Sequence, residues 1–131
     1  MADKLVATSP ASAATGLLVR IGCAPYAGSR ARAALDLALA TAAMDQAVTL
    51  LFHGCGVLQL CSDQDGTAIR RKTIARTLES LALYDIDQVY AEAAALAHYG
   101  LADANLAIPV GRLNADAVRS LLAQHRHSLS Y

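Results

Sequence analysis

The sequence predicts one α/β domain, a parallel sheet of about five strands with helices on both faces. Three observations lead there. Short apolar runs alternate along the chain with segments of helical periodicity, an order that favours a parallel sheet. The 131 residues suit a single core. No internal repeat, heptad pattern or low-complexity linker divides the alternation.

The elements follow in order. Met1–Thr15, rich in Ala, Ser and Thr, reads as a disordered tail ahead of a domain at residues 16–131. Leu17–Ile21 is a buried-strand run closed by Gly22, Pro25 and Gly28. Ser29 stands at a helix N-cap position. Behind it Ala31, Ala34, Leu35, Ala38, Leu39 and Ala42 recur at helical spacing, and Arg32 can pair with Asp36 one turn on. Ala33, Leu37 and Ala40 fall on other faces, so this helix is apolar nearly all round and is expected to be covered on more than one side.

Ala47–Phe52 is the second strand, closed by Gly54 and Gly56, with a helical turn at Val57–Leu60 and a polar loop at Ser62–Gly66. Ile69–Ala82 reads as a helix with Ile74, Leu78, Leu81 and Ala82 on one face. Asp87–Ala91 is a short strand, Glu92–Tyr99 a helix, and Gly100 its stop. Leu106–Val110 is expected as a strand. Asn114 is a cap for a helix whose Val118, Leu121, Leu122 and His125 share a face, and Ser128–Tyr131 is a last strand. The whole order fits a flavodoxin-like domain.

Composition narrows function. Hydrophobic residues make up 55% of the chain and charged residues 17%, which is apolar for a small soluble domain. Part of that surface is expected to lie against another subunit. The formal net charge of zero lacks the basic excess of a phosphate-binding protein, so no direct nucleic-acid binding is expected. No apolar run reaches membrane-spanning length, and Leu5–Ala7 is too short for a secretion signal, so a cytoplasmic location is the default expectation. Cys23, Cys55 and Cys61 form no CxxC pair and, being odd in number, no full disulfide framework; reduced thiols fit them.

Site motifs are sparse. Gly54 and Gly56 make only a GxG fragment, and neither a Walker motif nor a nucleophile elbow occurs, so no cofactor and no hydrolytic chemistry are expected. His53, His98, His125 and His127 are scattered; His125 and His127 lack a third ligand nearby, and no metal site is expected. Arg70, Arg71, Lys72 and Arg76 form a basic cluster that reads as a solvated helix face or as a contact for an acidic surface or tRNA. Tyr84 and Tyr90 flank the Asp85–Val89 segment as core-edge or subunit-boundary rings. Cys55, between two glycines at the end of a strand, is the thiol best placed for reactivity, since backbone N–H groups there can hold a thiolate. An inert cysteine is the plainer reading.

Three segments carry a resemblance. They are Ala24-Pro25-Tyr26 through Gly28-Ser29 with Ala34–Ala40, Gly54-Cys55-Gly56-Val57-Leu58-Gln59-Leu60, and Leu83-Tyr84-Asp85-Ile86-Asp87-Gln88 followed by Ala95-Leu96 and Gly100-Leu101. In order and spacing the chain resembles the TusC/DsrF branch of the DsrE/DsrF/DsrH (TusBCD-like) sulfur-relay family from about Leu17 to Tyr131.

The resemblance implies an α/β subunit that assembles with TusB/DsrH-like and TusD/DsrE-like sister subunits in a dimer of heterotrimers. Such a complex serves 2-thiolation of the tRNA wobble uridine in one branch and sulfur oxidation in the other. The Leu83–Gln88 run is closer to the tRNA branch. Sulfur-carrying members place a relay cysteine at the start of the helix after the third main strand, and the matching position here, counted back from Gly100, is Glu92. A carboxylate forms no persulfide. The expectation is therefore a non-catalytic structural subunit in which Glu92 is either a first-turn helix residue or a shaper of a partner's site. Cys55 departs from the acidic residue usual in its slot. Two other classes stay open: a persulfide carrier using Cys55, and a stand-alone small-molecule-binding domain.

Overall fold

The structure, a computed structural model, describes residues 16–23, 29–61, 77–103 and 106–131. Leu17–Ile21 forms β1, Arg30–Ala43 α1 and Val48–Phe52 β2. A 3-10 segment over Gly54–Leu60 follows. Helical residues 77–80 lead into a 3-10 turn at Ala82–Tyr84. Gln88–Glu92 forms β3, Ala93–His98 α2, Gly111–Leu113 β4, Ala115–Gln124 α3 and His127–Ser130 β5.

The five strands are all parallel and lie in the order β4-β3-β2-β1-β5. From β1 to β4 the chain steps one way across the sheet, then returns past β1 to lay down β5. Right-handed crossovers therefore place α1 and α2 on one face and α3 on the other. Two apolar clusters match this division. Val19, Ile21, Leu50, Phe52, Val89 and Ala91 face Ala34, Leu35 and Ala38 of α1 and Ala95 and Leu96 of α2. Leu18, Leu51 and Leu113 face Ala117 and Leu121 of α3, with Tyr90, Val118 and Leu122 packed against them. Period-two alternation along the strands produces the split. No helix among the described residues is long and apolar enough to cross a membrane.

Most expected elements appear within a residue or two of their reading. Asn114 caps α3 through Oδ1, which accepts the Ala117 N–H at 2.8 Å. Gly100 stops α2 with φ +73°, a left-handed conformation that glycine adopts without strain. Arg32 and Asp36 pair at 3.7 Å, both largely exposed, so the bond adds little. Ser29 occupies the N-cap of α1, but its side chain makes no capping bond.

The Leu106–Val110 strand is corrected. Leu106 makes only an isolated antiparallel bridge to Cys61, and β4 begins at Gly111. Pro109 lies within the expected run and has no N–H to give a ladder, so the chain pairs only after passing it. Leu106, Ala107, Ile108 and Val110 still pack on the core as a loop. The cover expected around α1 is also partial: Ala33 and Ala40 are exposed. The tail Met1–Thr15, the Ala24–Gly28 segment, the Ser62–Gly66 loop, Ile74 and the basic cluster Arg70, Arg71, Lys72 and Arg76 lie outside the described residues.

Candidate functional site

The loops after β3 and β4 leave toward opposite faces, because α2 and α3 lie on opposite sides of the sheet. The point where neighbouring strands send their chains apart, at the carboxyl edge, is the usual ligand position in open α/β sheets. Glu92 closes β3 at that point and serves as N-cap of α2. Its carboxylate does not cap α2; Oε1 instead accepts the Gly54 N–H from the neighbouring strand's loop at 3.2 Å.

That loop is folded back over the end of β1. His53 N–H donates to Ile21 O at 3.0 Å, and Gly56 N–H to His53 O at 2.9 Å. Gly54 takes φ +52°. A Cβ on Gly56 would stand 2.0 Å from the Ile21 carbonyl oxygen, so only glycine fits. Local glycine geometry thus brings Cys55 beside β1, where its half-buried Sγ donates to Gly22 O at 3.2 Å. The Cys55 sulfur faces a carbonyl acceptor, whereas a thiolate is held by N–H donors.

Cys23 follows β1 and is buried. Burial pushes its thiol up, the neighbouring Cys55 adds to the rise, and its own backbone hydrogen bond and Arg30 oppose it. Gln59, also buried, donates through Nε2 to Cys23 O at 3.0 Å. Cys61 is half-buried in the bridge to Leu106. All three thiols are free.

Strand register extends the site across the sheet. Ser130, Arg20, Leu51, Tyr90 and Gly111 form one row. The next residues of the same orientation toward the carboxyl edge are Gly22, His53 and Glu92. The His53 ring lies over Gly22, whose added Cβ would stand 2.6 Å from Cε1. Burial lowers the His53 pKa, Glu92 pulls the other way and Arg20 lowers it further. Tyr90 lies over Gly111 and donates its hydroxyl to Gln88 Oε1 at 2.9 Å.

The residues singled out from sequence divide accordingly. Glu92, Cys55 and His53 converge at the carboxyl edge. His125 is buried at the end of α3 with Nδ1 at 2.9 Å from Leu121 O, while His127 is exposed on β5. Among the described residues no cluster of histidine, cysteine and carboxylate side chains could hold a metal. Tyr84 is exposed. Arg20 and Gln59 were missed by sequence reasoning. The signal for Arg20 was available, a lone charge inside the apolar run Leu17–Ile21. Gln59 stood only as one residue of the Gly54–Leu60 run, with no signal that its side chain is buried. A separate cavity of about 300 Å³, lined by Leu78, Leu81, Ile86, Val89 and Ile108, lies at the opposite edge.

Fold and site together define a parallel α/β domain whose third strand ends at the sheet's switch point in a carboxylate, Glu92, bonded to the glycine loop of the neighbouring strand. The DsrE/DsrF-like family model matches residues 17–131, and the chain belongs to that family. It is 36% identical over 109 residues to a protein named TusC homolog from Pseudomonas aeruginosa, covering 83% of this chain and 92% of the relative. It is 36% identical over 108 residues to the TusC homolog of Vibrio parahaemolyticus, covering 82% and 92%. The TusC protein of Escherichia coli O8 is 36% identical over 103 residues, covering 78% and 87%. The crystal structure of the ychN protein from E. coli superposes with a TM-score of 0.75 over 89% of this chain and 99% of that chain; at 17% identity the likeness is one of fold.

Proposed function

We propose that this chain is the subunit of a sulfur-relay assembly that carries no sulfur itself. It stabilises and orients TusB/DsrH-like and TusD/DsrE-like sister chains, in a cytoplasmic dimer of heterotrimers whose sulfur ends in the 2-thiolated wobble uridine of tRNA. Glu92 is the observation that carries this reading. A relay passes sulfane sulfur by thiolate attack on a persulfide, which requires a thiol at the site. Here the switch point holds a carboxylate already engaged by Gly54 N–H.

Exposed apolar side chains support a docking role. Leu83 is 83% and Met44 74% exposed, and Leu129 on edge strand β5 is also open. Large exposed apolar groups suit contact with other chains. The TusC relatives favour the tRNA branch over sulfur oxidation.

Coexpression with the two sister chains is the test. All three are expected to copurify at low salt, and after a persulfide donor is added the sulfur adduct should map to a sister chain. Failure to copurify, or an adduct on Cys55 whose replacement by serine stops transfer, would overturn the reading.

A further inference from the structure

Arg20 lies inside β1, between β5 and β2, on the face opposite α1. Its side chain is half-buried and its Nε is shielded from solvent. Among the described residues that Nε has no hydrogen-bond partner and no carboxylate pairs with the guanidinium. His53, one row closer to the carboxyl edge on the same face, likewise has a buried Nε2 without a partner. Glu92 does not supply the missing acceptor for Arg20, because its Oε1 is turned to Gly54 N–H.

A buried guanidinium N–H without an acceptor is costly, and buried polar groups are nearly always satisfied. Two such atoms in adjacent rows of one face point to a shared purpose. The position of α3 fits. It starts beyond the carboxyl end of β4 and finishes before the amino end of β5, so it crosses the sheet diagonally over Leu18, Leu51 and Leu113. Arg20, His53 and the exposed Ser130 lie toward the corner that this diagonal does not cover.

We propose that Arg20 and His53 form a binding notch for one oxyanion or carboxylate group. The Arg20 fork donates to the anion, and neutral His53 donates through Nε2–H in that tautomer. Guanidinium matches such planar or tetrahedral oxygens with two parallel bonds. Two sources share this chemistry: a free inorganic oxyanion, or a carboxylate on a sister chain. Only the second rests on the assembly proposed above.

The experiment has two arms. In the first, thiosulfate and acetate are titrated separately into the isolated full chain at low ionic strength, followed by the His53 ring-proton NMR signal. In the second, the sister chains are coexpressed and their retention is measured against salt. Variants are Arg20→Gln and Arg20→Lys in both arms and His53→Phe in the second arm alone, each checked for folding by circular dichroism.

In at least one arm Arg20→Gln is expected to weaken binding about tenfold or more, the size expected for a lost charged hydrogen bond. Arg20→Lys, which keeps charge but loses the fork, should fall between. A response confined to the first arm assigns the notch to a free anion, and one confined to the second to a partner carboxylate. If the variants match wild type in both arms, or wild type responds in neither, the notch does not exist. Should the sister chains fail to bind even wild type, the assembly reading falls while the titration still decides the notch.

Discussion

Glu92 Oε1 accepts the backbone N–H of Gly54 across 38 residues of sequence, at 3.2 Å. The bond ties the start of α2 to the glycine loop that carries Cys55. It gives the carboxylate at the switch point a structural task.

Glu92→Ala removes that acceptor, and the loss expected is about 1 kcal/mol, given how open the bond is to solvent. Glu92→Gln retains an oxygen acceptor and should lose less. Urea denaturation of both variants checks the order, and equal stability for wild type and Glu92→Ala would show the bond to be idle.

Gly56→Ala drives a methyl into the Ile21 carbonyl oxygen. Backbone cannot yield there without disturbing the β1–β2 ladder, so destabilisation of about 1–3 kcal/mol is expected. Gly100→Ala has open space around its added carbon and only its positive φ to oppose it. It should cost about 1 kcal/mol. Thermal melts of the two side by side separate steric from conformational cost.

The acid sensitivity of the fold should include a His53 component. Burial lowers its folded pKa below the ordinary 6.5, with Arg20 assisting and Glu92 opposing. As pH falls from 6.5 toward the folded value, the unfolded chain binds a proton that the folded chain refuses. Stability is thus complete above 6.5, declines through that window and levels off below it. Denaturation profiles of wild type and His53→Phe, subtracted from one another, isolate this component; parallel profiles would show that it is absent.

Thiol reactivity should follow burial. Cys23 is buried and its thiol is pushed up, so it should alkylate after the half-buried Cys55 and Cys61. Timed iodoacetamide labelling with peptide mapping checks this. The same rise makes Cys23 a source of alkaline instability: its contribution is present below 9.0 and is lost as pH climbs through the higher folded value. Comparing Cys23→Ala with wild type across that range reads it directly.

Residue pattern alone carried the element order. The runs Leu17–Ile21 and Ala47–Phe52, the helix behind Ser29 and the Asn114 cap were legible because hydrophobic period and capping chemistry are local properties. Leu106–Val110 misled because its apolar content matched a strand, while the missing amide of Pro109 displaced pairing to Gly111. Glu92 could be placed at a helix start because the Glu92–Tyr99 run ends in the glycine stop at Gly100.

Tertiary structure alone decided what surrounds it. Strand order put β1 between β2 and β5, and the return of the chain to β5 sent α3 to the far face. That arrangement set Glu92 at the switch point of the sheet and brought Arg20 and Glu92 within electrostatic reach of His53 despite their separation in sequence. Local periodicity shows which side of a strand a residue occupies. It says nothing of which strand lies next, because neighbours across a sheet are chosen by how the whole chain buries its apolar faces.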